Sequence, residues 1–285
     1  MPEVCEVALT AEILTKYCKN KKIEKLSFVS GRYGPNRTKP EGYKEFKRKF
    51  PYNIKKVDSK GKFMWFELED CHGDPMYIWN TYGLTGTWLV GISDADFIRC
   101  KINLNDNLKI YYSDMRNFGT FKFSSSFSDL TKKLDSLGQD FLKSDNIDIS
   151  NIKNYKKEVV VLLMDQKKIG SGIGNYLAAE ILYRSKISPY RLGSSLSEKE
   201  IKRLEYMIKY TTKLAYLNNY TGYMVDFKKF KNKIKKNNYH PDIDIKDHEF
   251  DFMVYKRDKD PFGNEVKKAH IISGRTTYWV PDCQK

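Results

Sequence analysis

A proline at position two followed by two glutamates is the first arrangement in this chain that could do chemistry. If the initiator Met1 is removed, Pro2 presents a secondary amine at the start of a helix. A free α-amino group titrates near ~8, and the positive end of a helix dipole lowers that value. A neutral amine there is a nucleophile that can attack a carbon and form an iminium adduct. Glu3 and Glu6 place carboxylates beside it, able to protonate a sugar oxygen or to shuttle the amine proton. The same residues also read as ordinary helix-start chemistry, with proline in the first helical position and acids in the first turn.

Three further segments carry chemistry-bearing residues. In Lys60-Gly61-Lys62-Phe63 a glycine turn can present Lys62 to an anionic group; a solvated hairpin lysine is the plain alternative. Asp114-Met115-Arg116-Asn117-Phe118-Gly119 combines an arginine and an aromatic in one loop. Such a loop can wedge into a duplex and fill the hole left by an extruded base, or it can be a β-turn with a core phenylalanine. Lys168-Ile169-Gly170-Ser171-Gly172-Ile173-Gly174-Asn175 offers backbone amides to a phosphate at a helix start. It lacks the Lys-Ser/Thr ending of a P-loop and reads equally as a short helix–helix connection.

The elements that must position these residues fall into two kinds. Val4, Val7, Ala8, Ala11, Leu14 and Cys18 form one apolar stripe at helical spacing. From Ile23 to about Phe123 the chain is a series of short β-branched and aromatic runs: 25–30, 62–69, 76–79, 85–90, 97–104 and 108–113. Turn residues separate them, which predicts an antiparallel sandwich or barrel. A polar stretch, 124–154, contains one modest helical pattern. Beyond it the period becomes helical, with helices over 158–167 and 175–185 and a longer one from Ser197, where Ser197 and Glu200 make a capping-box pattern. The segment 250–285 shows strand-like alternation around a Gly-Arg-Thr-Thr turn. The fold class is therefore α+β in two domains. A catalytic helix and β-sandwich occupy 1–130, a linker region 131–154, a helical domain 155–249 and a terminal hairpin 250–285.

Composition narrows the partner. Lys and Arg number 51 against 36 Asp and Glu, a net charge of +15, with a pI near 9.3. That excess points to nucleic acid or an acidic membrane surface, and by itself favours binding over catalysis. The basic run from Lys228 to Lys236 supplies diffuse, salt-sensitive attraction. With 40% hydrophobic and 14% aromatic residues, wholesale disorder is excluded. No apolar run approaches the ~20 residues of a membrane span, and the N-terminus lacks the basic-then-apolar pattern of a secretory signal. The five cysteines include no C-x-x-C pair, which reads as reduced thiols in an intracellular protein.

Taken in order, these segments resemble the formamidopyrimidine-DNA glycosylase / endonuclease VIII (Fpg/Nei) family over nearly the whole chain. Met-Pro-Glu-x-x-Glu resembles its catalytic helix and Gly61-Lys62-Phe63 its β-turn lysine. Tyr82-Gly83-Leu84-Thr85-Gly86 is similar to its Leu-Gly-Met-Ser-Gly loop, and Asp114-x-Arg116-x-Phe118-Gly119 to its intercalation loop. Leu162-Leu163-Met164-Asp165-Gln166 through Gly172-Ile173-Gly174-Asn175-Tyr176-x-Ala178-x-Glu180-Ile181-Leu182 is similar to its helix-two-turns-helix motif. The resemblance implies a bifunctional DNA glycosylase/lyase of base excision repair that works as a monomer on damaged DNA, in a DNA-containing compartment such as nucleus, cytoplasm or viral factory. Pro2 is then the Schiff-base nucleophile, Glu3 the acid/base and Glu6 a lesion-positioning group. Leu84, Arg116 and Phe118 fill the void, and Lys62, Asn175 and Arg275 grip the flanking phosphates, Lys62 and Arg275 close enough to the reaction to count as catalytic. Tyr220, Tyr223 and Tyr255 fall near the expected lesion pocket, where a base-stacking role and an aromatic-core role both stand. Leu84 replaces a frequent Met, and Asn117 replaces a frequent basic residue, which weakens one phosphate contact. A non-catalytic DNA-binding protein on the same scaffold is the alternative from another class, with a membrane-surface protein a third.

The tail departs from the family. Val254-Tyr255-x-Arg257 and Gly274-Arg275-Thr276-Thr277 through Pro281-x-Cys283-Gln284 resemble its zinc finger. Yet of the positions near Phe262, Glu265, Val280 and Cys283 where cysteines stand, only the last keeps one. One thiolate does not hold tetrahedral zinc, so the expectation is no cofactor and no zinc. The hairpin would then be a zincless finger held by packing of Tyr278, Trp279 and Val280, as in the subgroup of human endonuclease VIII-like protein 1. That subgroup analogy favours oxidised pyrimidines, formamidopyrimidines and further-oxidised guanines as substrates. The Lys/Asn/Ile/Tyr-rich composition suits an AT-rich genome, and a giant-virus Nei-type enzyme fits it closely.

Overall fold

The computed structural model describes residues 2–91, 94–218, 239–245 and 249–285. They group into two compact units, one containing Pro2 and Glu6–Ser136 and one containing Glu3–Cys5 and the described residues from Leu137 onward.

In the first unit, α1 (Val4–Cys18) follows the predicted apolar stripe and buries Val7, Ala11, Leu14 and Cys18. Ten strands form among the described residues, eight of them here: β1 (Lys22–Phe28), β2 (Tyr52–Lys60), β3 (Phe63–Glu69), β4 (Pro75–Thr81), β5 (Gly86–Val90), β6 (Ile98–Leu104), β7 (Lys109–Asp114) and β8 (Thr120–Ser124). They pair antiparallel in the order β5-β7-β6-β1-β2-β3-β4-β8. The β1–β2 junction is short, pairing only Lys22 with Asn53 and Ile23 with Tyr52, so the two halves fold face to face there. Aromatic rings fill the space between them: Trp88 of β5 meets Phe66 of β3 at 5.3 Å, and Phe121 of β8 meets Tyr112 of β7 at 5.1 Å and Phe28 of β1 at 5.2 Å. This is the antiparallel sandwich that the short alternating runs predict.

Two strands and a helix go beyond the sequence reading. In β2 the register shifts between Ile54 and Lys56, so two successive lysines face out and the period of two breaks. β8 alternates cleanly but is only five residues long. Helix α2 (Tyr43–Arg48), at six residues, is too short to show a 3.6 period; it buries Tyr43 and Phe46. Within 124–154 lies α3 (Phe127–Asp135), capped by the Ser126 hydroxyl accepting from the Asp129 amide at 3.0 Å.

The second unit begins with packed, irregular chain: Phe141, Leu142, Ile147, Ile149 and Ile152 are all buried. Helix α4 (Val159–Met164) stops three residues before its predicted end, because Asp165 turns extended and its carboxylate accepts from the Lys167 amide. Helix α5 (Asn175–Ser185) has the predicted bounds, and α6 (Glu198–Asn218) starts at the predicted capping box, where Ser197 and Glu200 exchange hydrogen bonds. The tail forms the hairpin β9 (Lys267–Ala269) and β10 (Thr277–Trp279). Ala179 and Tyr183 of α5 pack against Val254, Val266 and Val280 to join helix and hairpin.

Candidate functional site

In the first unit the site is a loop held from beneath. Asp114, buried at the end of β7, accepts a hydrogen bond from the Thr85 hydroxyl at 2.5 Å and one from the Gly119 amide at 2.7 Å. Thr85 relays the connection, its Oγ1 accepting from the Arg116 amide at 2.9 Å. Arg99 donates to the carbonyls of Asp114 and Met115 and to the Ser30 hydroxyl. Asn117 sits in the left-handed region at φ 56°, and its Oδ1 accepts from the Arg32 amide. Asn117 thus has a structural role, tying the loop to the turn at Gly31–Tyr33.

The backbone is fixed and the side chains project. Met115 is 55% exposed and Phe118 53%, while Arg116 is exposed and Leu84 half-buried. The neighbouring loop abuts this one so closely that a Cβ at Gly83 (φ 67°) would lie 2.7 Å from the Cβ of Phe118. The structure therefore brings Leu84, Arg116 and Phe118 together. It adds Met115, which sequence reasoning passed over although it stands between Asp114 and Arg116. Arg99 was equally silent in sequence, since nothing local distinguishes a strand arginine that serves carbonyls fifteen residues away. Lys62 is half-buried on the β2–β3 turn, whose Gly61 takes φ 56°. Pro2 and Glu6 are buried.

In the second unit the centre is Glu3. Its buried carboxylate accepts from the amides of Gly174 (2.6 Å), Tyr176 (3.0 Å) and Leu177 (3.3 Å), the unsatisfied donors at the N-terminus of α5. Of the two readings of the glycine-rich turn, a phosphate cradle or a helix–helix connection, the structure shows a connection whose amides at Gly174, Tyr176 and Leu177 serve this side chain. A Cβ at Gly174 would come within 2.5 Å of the Glu3 carboxyl group, so the glycine is needed for the approach. The Gly172 amide is also engaged, donating to Gln166 Oε1 at 2.8 Å. Asn175 donates through Nδ2 to the Thr276 carbonyl at 2.9 Å, which pins the hairpin turn next to Arg275. Arg275 itself is exposed.

Tyr255 is half-buried among aromatics, with Phe252 at 5.1 Å, Tyr278 at 5.3 Å and Tyr176 at 6.3 Å. Tyr220, Tyr223 and the lysine run Lys228–Lys236 lie outside the described residues. Buried Glu180, on α5, accepts from the amides of Met253, Val254 and Tyr255, each at 3.0 Å, and pairs with Arg184. At the tail positions in question, Phe262 is 80% exposed, Glu265 exposed and Val280 fully buried. No group of three or more His, Cys, Asp or Glu able to hold a metal occurs among the described residues, and none of their helices is long and apolar enough to cross a membrane.

A sandwich with an N-terminal helix, a glycine-bridged helix pair and a terminal hairpin carrying an arginine is the architecture of a DNA glycosylase. The chain belongs to the Fpg/Nei family of DNA glycosylases. It matches the formamidopyrimidine-DNA glycosylase N-terminal domain over residues 1–121, the H2TH domain over 137–223 and the C-terminal domain over 241–285. A formamidopyrimidine-DNA glycosylase of Bdellovibrio bacteriovorus is 30% identical over 71% of this chain and 73% of its own length. One from Listeria monocytogenes is 25% identical over 81% and 82%. Among solved structures, Lactococcus lactis Fpg in complex with abasic-site DNA superposes with a TM-score of 0.77 at 21% identity, covering 99% of each chain. MutM in complex with carbocyclic 8-oxo-G containing DNA gives 0.75 at 21% identity over both full chains.

Proposed function

We propose that this chain is a bifunctional glycosylase/lyase that removes oxidised bases from DNA in a DNA-containing compartment, without zinc. The observation that carries the reading is the loop 114–119. Its backbone is fixed by Asp114, Thr85 and Arg99 while Met115, Arg116 and Phe118 stand exposed. Apolar side chains left in water on a rigid backbone suit an enzyme that must replace an extruded base, since flipping costs a few kcal/mol and a prepared wedge offsets it.

The chemistry follows from the N-terminus. The Pro2 amine, once Met1 is removed, attacks C1′ of the damaged nucleotide; the glycosidic bond breaks and the base leaves with a proton. The C1′–O4′ bond then breaks as O4′ takes a proton, leaving an iminium between the Pro2 nitrogen and C1′; this acidifies C2′, whose proton is lost as the 3′ phosphate departs, and a second elimination, with loss of the C4′ proton, releases the 5′ phosphate. Glu3 handles the ring-oxygen and amine protons, from a carboxylate that three amides hold at one place. Glu6 positions the lesion, and Lys62, Asn175 and Arg275 hold the flanking phosphates. The substrates are oxidised pyrimidines, formamidopyrimidines and further-oxidised guanines. Relatives of the same fold bound to DNA that carries an oxidised pyrimidine or an N7-benzyl-Fapy-dG support the first two of these.

Borohydride trapping tests the reading. Untagged protein yields a covalent adduct on abasic or oxidised-pyrimidine duplexes, and Pro2→Gly or an N-terminal tag abolishes strand cleavage while duplex binding persists. Absence of any adduct leaves the non-catalytic DNA-binding protein as the remaining reading. Strand cleavage by the tagged protein would remove Pro2 as the nucleophile.

A further inference from the structure

The family's finger implies a zinc ion, and the residues here do not fit one: Phe262 points to solvent, Val280 is in the core, and Cys283 is a single thiol. A different group stands where the two knuckles of the finger meet. Asp260 is buried, and its Oδ1 accepts from the amides of Phe262 (2.9 Å) and Asn264 (2.8 Å). Its Oδ2 accepts from the Tyr183 hydroxyl (2.9 Å) and Asn264 Nδ2 (2.8 Å), with Cys283 Sγ at 4.0 Å. Asn264 Nδ2 also reaches Cys283 Sγ at 3.6 Å. The backbone closes the same turn, Asp260 N donating to Asn264 O and Gly263 N to Asp260 O.

We propose that Asp260 replaces the metal of the finger with inverted charge, and is the positioning residue for the Arg275 hairpin. Zinc gathers electron-pair donors around a cation; the carboxylate gathers hydrogen donors around an anion. The donors come from three segments: the knuckle before β9 (Phe262, Asn264), helix α5 (Tyr183) and the knuckle after β10 (Cys283). The hub thus clamps the base of the hairpin whose tip carries Arg275. On α5, Asn175, Ala179 and Tyr183 lie at four-residue spacing on one face, each meeting the finger at tip, core and hub in turn. Hydrogen bonds to a charged group are the stronger kind, which suits a clamp whose donors come from four residues. Asp-Pro-Phe-Gly-Asn is also a turn sequence in which an aspartate accepts from amides further along.

The assignment of Arg275 to DNA rests on the function proposed above; the hub itself does not, and two readouts separate them. Asp260→Asn keeps the shape but turns one acceptor edge toward Tyr183 and Asn264 as a donor. Amide hydrogen exchange of residues 262–269 and 277–283 should accelerate about tenfold or more, with the strands of the first unit unchanged. Tyr183→Phe, which removes one donor and folds more readily, should accelerate the same amides about threefold to fivefold. For an abasic-site duplex, Asp260→Asn should raise Kd about tenfold, and in an Arg275→Ala background it should add less than about twofold, because both act through one side chain. Unchanged exchange in both variants overturns the hub. Losses that multiply in the double variant overturn the positioning role, since a general destabilisation multiplies. One zinc per chain by metal analysis, with exchange that a chelator accelerates, overturns the replacement. If wild-type protein shows no DNA chemistry, the functional reading fails and the exchange experiment still decides the hub.

Discussion

The two units of this molecule are held together by different physics. The first is an aromatic sandwich in which Phe28, Phe66, Trp88, Tyr112 and Phe121 interlock between strands. Its buried aspartates serve two turns, Asp114 under one loop and Asp70 between β3 and β4. The second unit uses buried carboxylates as anchors for backbone amides: Glu3 for the start of α5, Glu180 for residues 253–255, Asp260 for the finger knuckle, and Glu205 for the Ile149 amide. Non-directional apolar packing fills a volume and tolerates small shifts. Anion-to-amide bonds fix where particular backbone atoms stand, and those segments carry Asn175 and Arg275. The sandwich supplies bulk stability, and the carboxylates supply geometry.

Substitutions can break or sharpen that contrast. The largest effect should come from Trp88→Ala, which empties a fully buried site and loses the bond to Asn80. A loss of about 3–5 kcal/mol is expected, read as a lower denaturation midpoint of the first unit. An equal drop in the second unit's own hydrogen exchange would blur the distinction. Glu180→Gln should cost about 2–3 kcal/mol, because three amides and Arg184 share its charge. Here the exchange of residues 253–255 should report the loss before any global melt does. Asp114→Asn should cost about 1–2 kcal/mol but weaken damaged-duplex binding about tenfold, by freeing the 114–119 backbone. A melt that falls with binding untouched would mean that the loop is packed rather than wired.

Acid provides a smaller perturbation. Burial works against ionisation of Glu200, but hydrogen bonds from the Ser197 amide and hydroxyl and the Arg191 guanidinium outweigh it and hold the carboxyl at about 2, below its ordinary 4.5. A depressed acid stabilises the fold in full above its unfolded value, and that contribution drains away as pH falls from 4.5 through about 2. Ser197→Ala should therefore cost about 1 kcal/mol at neutral pH and little at pH near ~2, measured by urea titration at both. The smallest signal is in the thiols. Cys71 is exposed, whereas burial pushes the Cys18 thiol up to about 12, so among the described cysteines alkylation at mild alkaline pH should label Cys71 well before Cys18.

Legibility in the sequence followed the range over which each signal acts. The α1 stripe, the bounds of α5, the α6 capping box and most of the strands are set by residues within one or two turns of each other. The bulge in β2 hid a strand because it breaks the alternation that reveals one. The motif residues were readable as types and order, and Leu84, Arg116 and Phe118 do share a surface. The expectation that packing of Tyr278, Trp279 and Val280 holds the hairpin was incomplete. Val280 is in the core, but the polar hub at Asp260 was not foreseen, although its Asx-turn sequence was visible.

By itself, then, the sequence determined the family, the two kinds of architecture and the residue types at the candidate site, because periodicity and motif order are local properties. Only the tertiary structure decided what each buried acid holds. Glu3 meets amides 171 to 174 residues away and Glu180 meets amides 73 to 75 away. No local pattern encodes such a pairing; it exists only once the packed fold brings an anion and a set of unsatisfied donors to the same place.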